Sequence, residues 1–437
     1  MNNKIKVFAS VLALISLFMA AACATKPVDA VTYRSGRVVD YFTNKPIGGA
    51  IVTMNNQIVT ADEKGIFVFK TTGEKIAVRA YGYLRTEQVI ATPLVAQSLE
   101  IKLVPFTPKA LYLTVYGIGS RKLRDAALKL IEETELNALV IDVKGDRGFI
   151  PFKSSVPLAS EIGAQQITTV KDMKGLIESL RGKGIYTIAR IVVFKDNPLA
   201  LARPELAIHK GGRIWQDRET LAWVDPFKTE VWDYNIDIAV EAARYGFDEI
   251  QFDYVRFPDT SGLKFSQEST EESRVKAICG FLTEAKRRLA PYNVFLNADI
   301  FGYVSWNQND TKIGQRIEDL AATLEYMSLM LYPSGFQYGI PRYRNPVAHP
   351  YEIVFLTLNR ARERVNLPSV RFRPWLQSFR DYAFDRKRFT GREIRDQIDA
   401  AEEFGSDGWM LWNPHNIYSE DGLKKREHAD AEAKPKK

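Results

Sequence analysis

Histidine and cysteine are scarce in this sequence of 437 residues. The only histidines are His209, His349, His415 and His428, and none forms an HxxxH pair or a His–carboxylate spacing that suits zinc. There is no GxSxG elbow and no Cys–His pair, which removes acyl transfer of those kinds. No glycine-rich phosphate loop follows the first strand of the alternating region from Leu111 onward, so a dinucleotide-binding sheet is disfavoured. Neither a cofactor nor a resident metal is expected; a divalent ion held by Asp142, Asp253 and Asp299 is the alternative.

Excess charge of one sign is also lacking where it would matter. Of the formal +7, Lys4 and Lys6 carry two, and residues 424–437, with six basic and three acidic side chains, carry a net three. The remaining +2 is spread over 400 residues and gives no electrostatic case for nucleic acid. Residues 419–437 form a charged, flexible tail by composition.

Only one long apolar run is present. It begins at Val7 behind Lys4 and Lys6 and gives way to small residues before Cys23, the layout of a secretory signal over residues 1–23. A permanent span takes about 20 apolar residues, so this run is marginal for one. The segment before Cys23 resembles a bacterial lipoprotein cleavage site, although Ala20 stands where such sites usually carry Leu. The resemblance implies that Cys23 becomes the acylated first residue of an exported protein anchored to a membrane of the cell envelope. Ordinary signal cleavage nearby, or an uncleaved anchor, are the alternatives. Cys279 then has no disulfide partner and falls in the helical pattern SRVKAICGFLTEAKRRL as a small core residue.

With 46% hydrophobic residues, the chain can bury a large core and a smaller companion. Residues 31–105 are short alternating runs such as GRVVDYF, AIVTMNN, IFVFKTT and SLEIKLVPF, separated by turn residues, which predicts a small antiparallel β-sandwich. Through GRVVD, KPIGGAIV, TADEKGIFVF and YGY the segment resembles the carboxypeptidase regulatory-like domain, a transthyretin-like fold. That resemblance implies a non-catalytic spacer or binding module. From Leu111 strands and amphipathic helices alternate, the strands covering 111–117, 138–145, 185–194, 247–255, 294–302, 326–332, 370–379 and 408–413. Eight strands with helices between them predict an α/β chain whose main domain, 110–418, is a (β/α)8 TIM barrel. A doubly wound open sheet is the alternative.

In such a barrel each strand alternates between the helical ring and the barrel axis, and sites form at the C-terminal rim. The stretch FDEIQFDYVRFP illustrates this: Ile250, Phe252 and Tyr254 share one side, leaving Gln251 and Asp253 inward. The same parity turns Asp142, Lys144 and, past the strand, Asp146 inward in ALVIDVKGD, Asn297 and Asp299 in VFLNADIFG, Tyr332 after YMSLML, and Arg373, Trp375 and Gln377 in VRFRPWLQSF. Asp142 is either a structural carboxylate paired with Lys144 or Arg190, or a substrate ligand. Asp225 precedes Pro226 as an N-cap, and Asp146 in GDRG takes a turn role.

Asp253 and Asp299 end apolar strands four and five, so their carboxyls converge. Glycoside hydrolysis uses two carboxylates, one protonated and one ionised, about 5–5.5 Å apart for retention and about 6.5–9.5 Å for inversion. Arg256 and Lys144 are placed to keep one of them ionised. All seven tryptophans lie between Trp215 and Trp412, and Trp306, Trp375 and Trp412 fall at or just after strand ends, where flat rings suit sugar faces. Trp232 and Trp409 are core positions. The expected catalytic pair is Asp253 and Asp299. The expected substrate-binding set is Asp142, Lys144, Arg190, Gln251, Arg256, Asn297, Trp306, Tyr332, Trp375, Gln377, Trp412 and Asn413.

Residues 110–418 resemble the family of glycoside hydrolases first described as a domain of unknown function and related to α-amylase-like barrels. The motifs are ALVIDVKGDRG, ARIVVFKDNPLA, WVDPF with EVWDYNI, GFDEIQFDYVRFP, NADIFGY with WNQND, MLYPSGF, RPWLQSF and GWMLWNP. The resemblance implies a barrel acting on polysaccharide, with the strand-four Asp253 as nucleophile and the strand-five Asp299 as proton donor. Asp299 stands where amylase-like enzymes generally use Glu, and Gly335 where relatives often have His. The expectation is therefore an exported glycoside hydrolase with a polysaccharide or oligosaccharide substrate. A carbohydrate-binding barrel without catalysis is the competing class. Sugar, linkage and oligomeric state stay open.

Overall fold

The computed structural model describes residues 34–55, 57–70, 73–90 and 99–426. The signal segment with Cys23, and residues 427–437, lie outside the described residues.

The first module has seven short strands: β1 (Arg34–Asp40), β2 (Ile51–Met54), β3 (Gln57–Thr60), β4 (Ile66–Phe69), β5 (Lys75–Arg79), β6 (Thr86–Val89) and β7 (Leu99–Leu103). They form two sheets, ordered β4-β1-β7 and β3-β2-β5-β6. Every pairing is antiparallel except β1 with β7. Alternation drives the packing: IFVF exposes Ile66 and Val68 and buries Phe67 and Phe69 against Val38, Val52 and Ile101.

The barrel strands are β8 (Lys109–Leu113), β9 (Ala138–Lys144), β10 (Tyr186–Val192), β13 (Glu249–Asp253), β14 (Phe295–Phe301), β15 (Tyr326–Met330), β16 (Trp375–Gln377) and β17 (Trp409–Trp412). A small hairpin, β11 (His209–Lys210) and β12 (Arg213–Ile214), decorates the loop after β10. The eight barrel strands pair in parallel and in sequence, and β17 closes on β8. Closure rules out the open doubly wound sheet. Strand β16 is shorter than its alternating pattern suggested, because Ser369–Arg371 is a 3-10 turn and Pro374 has no N–H to donate.

The joining helices are α1 (Arg121–Glu133), α2 (Met173–Gly182), α3 (Thr229–Tyr245), α4 (Glu271–Leu289), α5 (Ile317–Thr323), α6 (Pro350–Val365) and α7 (Gly391–Phe404). Their ends are written in the sequence. Helix α4 starts with a Thr270–Ser273 capping box, has Glu271 and Glu272 in its first turn and Lys286, Arg287 and Arg288 in its last, all of which complement the helix dipole. Helix α7 starts at the Thr390–Glu393 box and stops at Gly405, whose φ of 82° suits glycine.

Two cores result. Leu139, Ile141, Ile250, Phe252, Leu296, Ala298, Met327 and Leu329 face the helices, while Ala110, Tyr112, Val140, Ile188, Trp375 and Met410 fill the axis. The sandwich docks on the N-terminal mouth of the barrel. Tyr81 stacks on Phe295 and Phe106 on Tyr186 at 6.1 and 5.6 Å. Arg79 pairs with Glu325 at 2.7 Å, and Arg85 with Asp248 at 3.0 Å. Leu84 and Phe106 join the cluster on the axis. That end is thereby floored, and the C-terminal rim is left open. At the other terminus residues 419–426, expected as part of the flexible tail, are held in place. Lys424 N–H donates to Glu135 Oε1 at 2.9 Å, and Arg426 Nη2 to the Leu136 carbonyl at 3.1 Å, which sews residues 419–426 to the barrel wall.

Candidate active site

The C-terminal rim is organised around one guanidinium. Arg190, on β10, is fully buried and pairs with three carboxylates: Asp142 at 2.7 Å, Asp146 at 2.7 Å and Asp253 at 2.5 Å, with Asp299 at 3.9 Å. It is in register with Asp142 on one side and Gln251 on the other, so strands β9 and β13 deliver their acids to it. Its Cζ lies 4.8 Å from the ring centre of Trp412 and 5.3 Å from that of Tyr112, and those two rings stack at 4.0 Å. The space where a divalent ion bridging Asp142, Asp253 and Asp299 would sit is therefore occupied by a fixed cation. Among the described residues no His, Cys, Asp and Glu grouping suits a metal.

Asp253 ends β13 and faces the rim. Its Oδ2 accepts from Arg190 Nε at 3.0 Å and Nη2 at 2.5 Å, and its Oδ1 accepts from the Tyr254 N–H at 2.6 Å. Tyr254 takes a left-handed φ of 49°, which turns the chain sharply after the carboxylate. Asp299, one strand over, is sealed behind it. Its Oδ1 accepts the indole N–H of Trp375 at 2.6 Å, and its carboxyl hydrogen-bonds Asp253. Burial, and next the charge of Asp253, push the Asp299 pKa far above the usual carboxylate range, against the pull of Arg190 and Trp375. The proton of the pair is thus held on Asp299, while Asp253 keeps its contacts with Arg190.

Asp142 lies deeper. Tyr112 donates to its Oδ2 at 2.8 Å, and burial raises its pKa to about 7 despite Arg190. Asp146 is the outermost acid, with its side chain 37% exposed against 10% for Asp253 and 1% for Asp299.

Above these groups is a cavity of about 490 Å³, of a size for a small ligand. Asp146, Arg190, Asp253, Arg256, Tyr332 and Trp412 line it, together with Glu219, Tyr254, Tyr303, Phe379 and Tyr382. A second hollow of about 310 Å³ adjoins at Asp146 and Pro414 and is walled by Tyr112, Tyr116 and Asp142.

Several expected ligands are elsewhere. Lys144 does not face the axis. A bulge between Arg190 and Ile191 pairs Lys144 with outward-facing Ile191, so its ammonium enters the helical layer, 2.6 Å from Asp196 and 2.7 Å from Asn235 Oδ1 on α3. Trp306 also turns to the helices, its indole donating to Thr357 on α6. Gln251 and Asn297 point inward as expected but meet Ser328 below the rim and do not line the cavity. The Gln377 side chain is spent on Ser334 and the Phe379 carbonyl, and that of Asn413 on the Ser378 and Ile417 carbonyls. Trp375 reaches Asp299 and lies outside the cavity lining. Asp225 organises a loop, accepting from Phe227 and Ser266, and α3 starts later, after Lys228. The expected pair also changes in kind. Asp253 and Asp299 touch each other, with no sugar-wide gap between them, and Asp299 has no cavity face. Asp146, expected in a turn role, lines the cavity together with Asp253 and Glu219. Tyr112 was legible by the parity that buried Leu111 and Leu113 outward, but not identified.

Residues 110–418, which span the whole barrel, match the family described as "Putative glycosyl hydrolase domain". The chain belongs to this glycosyl hydrolase domain family. No curated protein matches it. Among solved structures, a hypothetical protein from Ruminiclostridium thermocellum ATCC 27405 is 38% identical over 43% of this chain and 96% of its own, with a TM-score of 0.39. The glycoside hydrolase domain of PgaB (BpsB) from Bordetella bronchiseptica is 12% identical over 75% of this chain and 98% of its own, with a TM-score of 0.53. A class V chitinase from Pseudomonas fluorescens Pf-5 is 14% identical over 74% of this chain and 98% of its own, with a TM-score of 0.42. At 12% identity, the likeness of this family member to the Bordetella domain is one of fold.

Proposed function

We propose that this chain is a glycoside hydrolase that cleaves a cell-surface or extracellular polysaccharide, with Asp253 as the residue that meets the scissile bond. The observation that carries this reading is the Asp253–Asp299 pair: one proton shared between two carboxyls, one of them open to the cavity and fixed by Arg190. The proton passes from Asp299 through Asp253 to the leaving oxygen. Asp146, on the same guanidinium, takes a proton from the water that attacks the anomeric carbon. Trp412 and Tyr332 supply apolar faces for sugar rings, and the adjoining hollow gives the polymer room on a second side. Family membership and the barrel fold support hydrolysis; the sugar and linkage rest on the experiment below.

Export and a lipid anchor at Cys23 belong to the same proposal, the sandwich standing between anchor and barrel. Incubation with a panel of cell-surface polysaccharides tests the activity. Release of reducing ends that falls about 10²–10⁴-fold in Asp253→Asn supports the reading. Retention of polymer with no new ends would instead leave a carbohydrate-binding barrel. Incorporation of labelled palmitate that is lost in Cys23→Ala tests the anchor.

A further inference from the structure

Arg256 is the one charged residue lining the cavity that makes no ion pair among the described residues. Asp146 and Asp253 both pair with Arg190, and Glu219 with Lys195 at 2.8 Å. Arg256 has a different setting. Its Cζ is held 5.1 Å from the ring centre of Trp223 and 5.2 Å from that of Tyr254, and Nη1 donates to the Phe257 carbonyl at 3.1 Å. Among the described residues its other donors find no acceptor. Lys195, over the other contact of the same Tyr254 ring at 5.0 Å, is already matched by Glu219 and by Asp217 at 3.3 Å.

A half-buried guanidinium between aromatic faces is oriented at little further entropic cost, and its planar fork fits a carboxylate through two parallel hydrogen bonds. Each acid lining the cavity already has a cationic partner, whereas Arg256 has no anionic one. Resting on the hydrolase reading above, we propose that the substrate is an acidic polysaccharide whose sugar units carry a ring carboxylate, and that Arg256 receives that carboxylate in the cavity beside Asp253.

The test compares hexuronate polymers (polygalacturonate, alginate and hyaluronan) with the same polymers after chemical reduction of their carboxyl groups, which keeps linkage and ring and removes only the charge. Affinity electrophoresis of Asp253→Asn measures binding apart from turnover. At least one native polymer is expected to retard the protein about ten- to hundredfold more strongly than its reduced form, the range of a charge-assisted hydrogen bond. Arg256→Met should abolish that discrimination, and Arg256→Lys should keep part of it. Thermal melting of both variants separates a folding defect from a binding one. Equal retardation by native and reduced polymers, retardation by neutral polymers alone, or discrimination that survives in Arg256→Met would overturn the proposal. Asp253-dependent cleavage of a neutral polymer would overturn it too, while leaving the hydrolase reading intact; absence of Asp253-dependent cleavage on every polymer would remove the hydrolase reading itself.

Discussion

Trp375 donates its indole N–H to Asp299 Oδ1 across 2.6 Å, from β16 to β14 inside the barrel. The tryptophan, expected as a sugar platform, instead sets the proton affinity of a buried acid. Trp375→Phe keeps most of the ring and deletes the donor, so the Asp299 pKa rises further. The basic limb of the pH–rate profile should then move to higher pH by about one unit, with a lower kcat. An unmoved limb would reduce Trp375 to a space filler.

Asp142 makes stability depend on pH. Its folded pKa of about 7 lies above the ordinary 3.8, so the folded chain binds its proton more tightly than the unfolded chain does. The resulting stabilisation is complete below about pH 4 and is lost as pH rises toward 7, by up to roughly 4 kcal/mol. Urea midpoints between pH 4 and 8 should show this decline in the wild type and a flatter slope in Asp142→Asn.

Lys144 holds the wall together, away from the cavity. Lys144→Met leaves Asp196 buried without its cation, a loss of about 3–5 kcal/mol. Denaturant unfolding should register that loss, while KM on any cleaved polymer stays within about twofold, since the side chain lies in the helical layer. A large rise in KM with unchanged stability would restore the substrate role expected from strand parity.

Two glycines should respond in opposite ways to alanine. Gly408 opens β17 with φ of 81°, and an added Cβ would fall 1.8 Å from the Pro108 carbonyl, so Gly408→Ala should cost roughly 3 kcal/mol or prevent folding. Gly335, on the cavity wall, would meet nothing nearer than 3.8 Å, so Gly335→Ala should shift stability by less than about 0.5 kcal/mol. Melting temperatures of the two variants check both.

Strand parity was legible because apolar positions facing the helices recur every second residue. It placed Asp253, Asp299, Asn297, Tyr332 and Trp375 on the axis side, where the structure has them. Parity fails at Lys144 because a bulge is a local change of register that leaves no mark in hydrophobic periodicity. Depth was illegible for a related reason. Gln251 and Asp253 share a face, but two residues along a strand separate a layer closed over by Ser328 and Met410 from the open rim. Asp146 was legible in part: parity carried past the strand turns it inward, but GDRG has turn chemistry, and only the arrival of Arg190 from another strand gives its carboxylate a second role.

The docking of Leu84 and Phe106 into the base of the barrel has a consequence for how the protein can be cut. A fragment begun at residue 110 would lose its plug, wetting Tyr186 and leaving Glu325 and Asp248 without their arginines. The boundary drawn by sequence resemblance is thus no place for scissors, because the leading module grips the barrel by its underside.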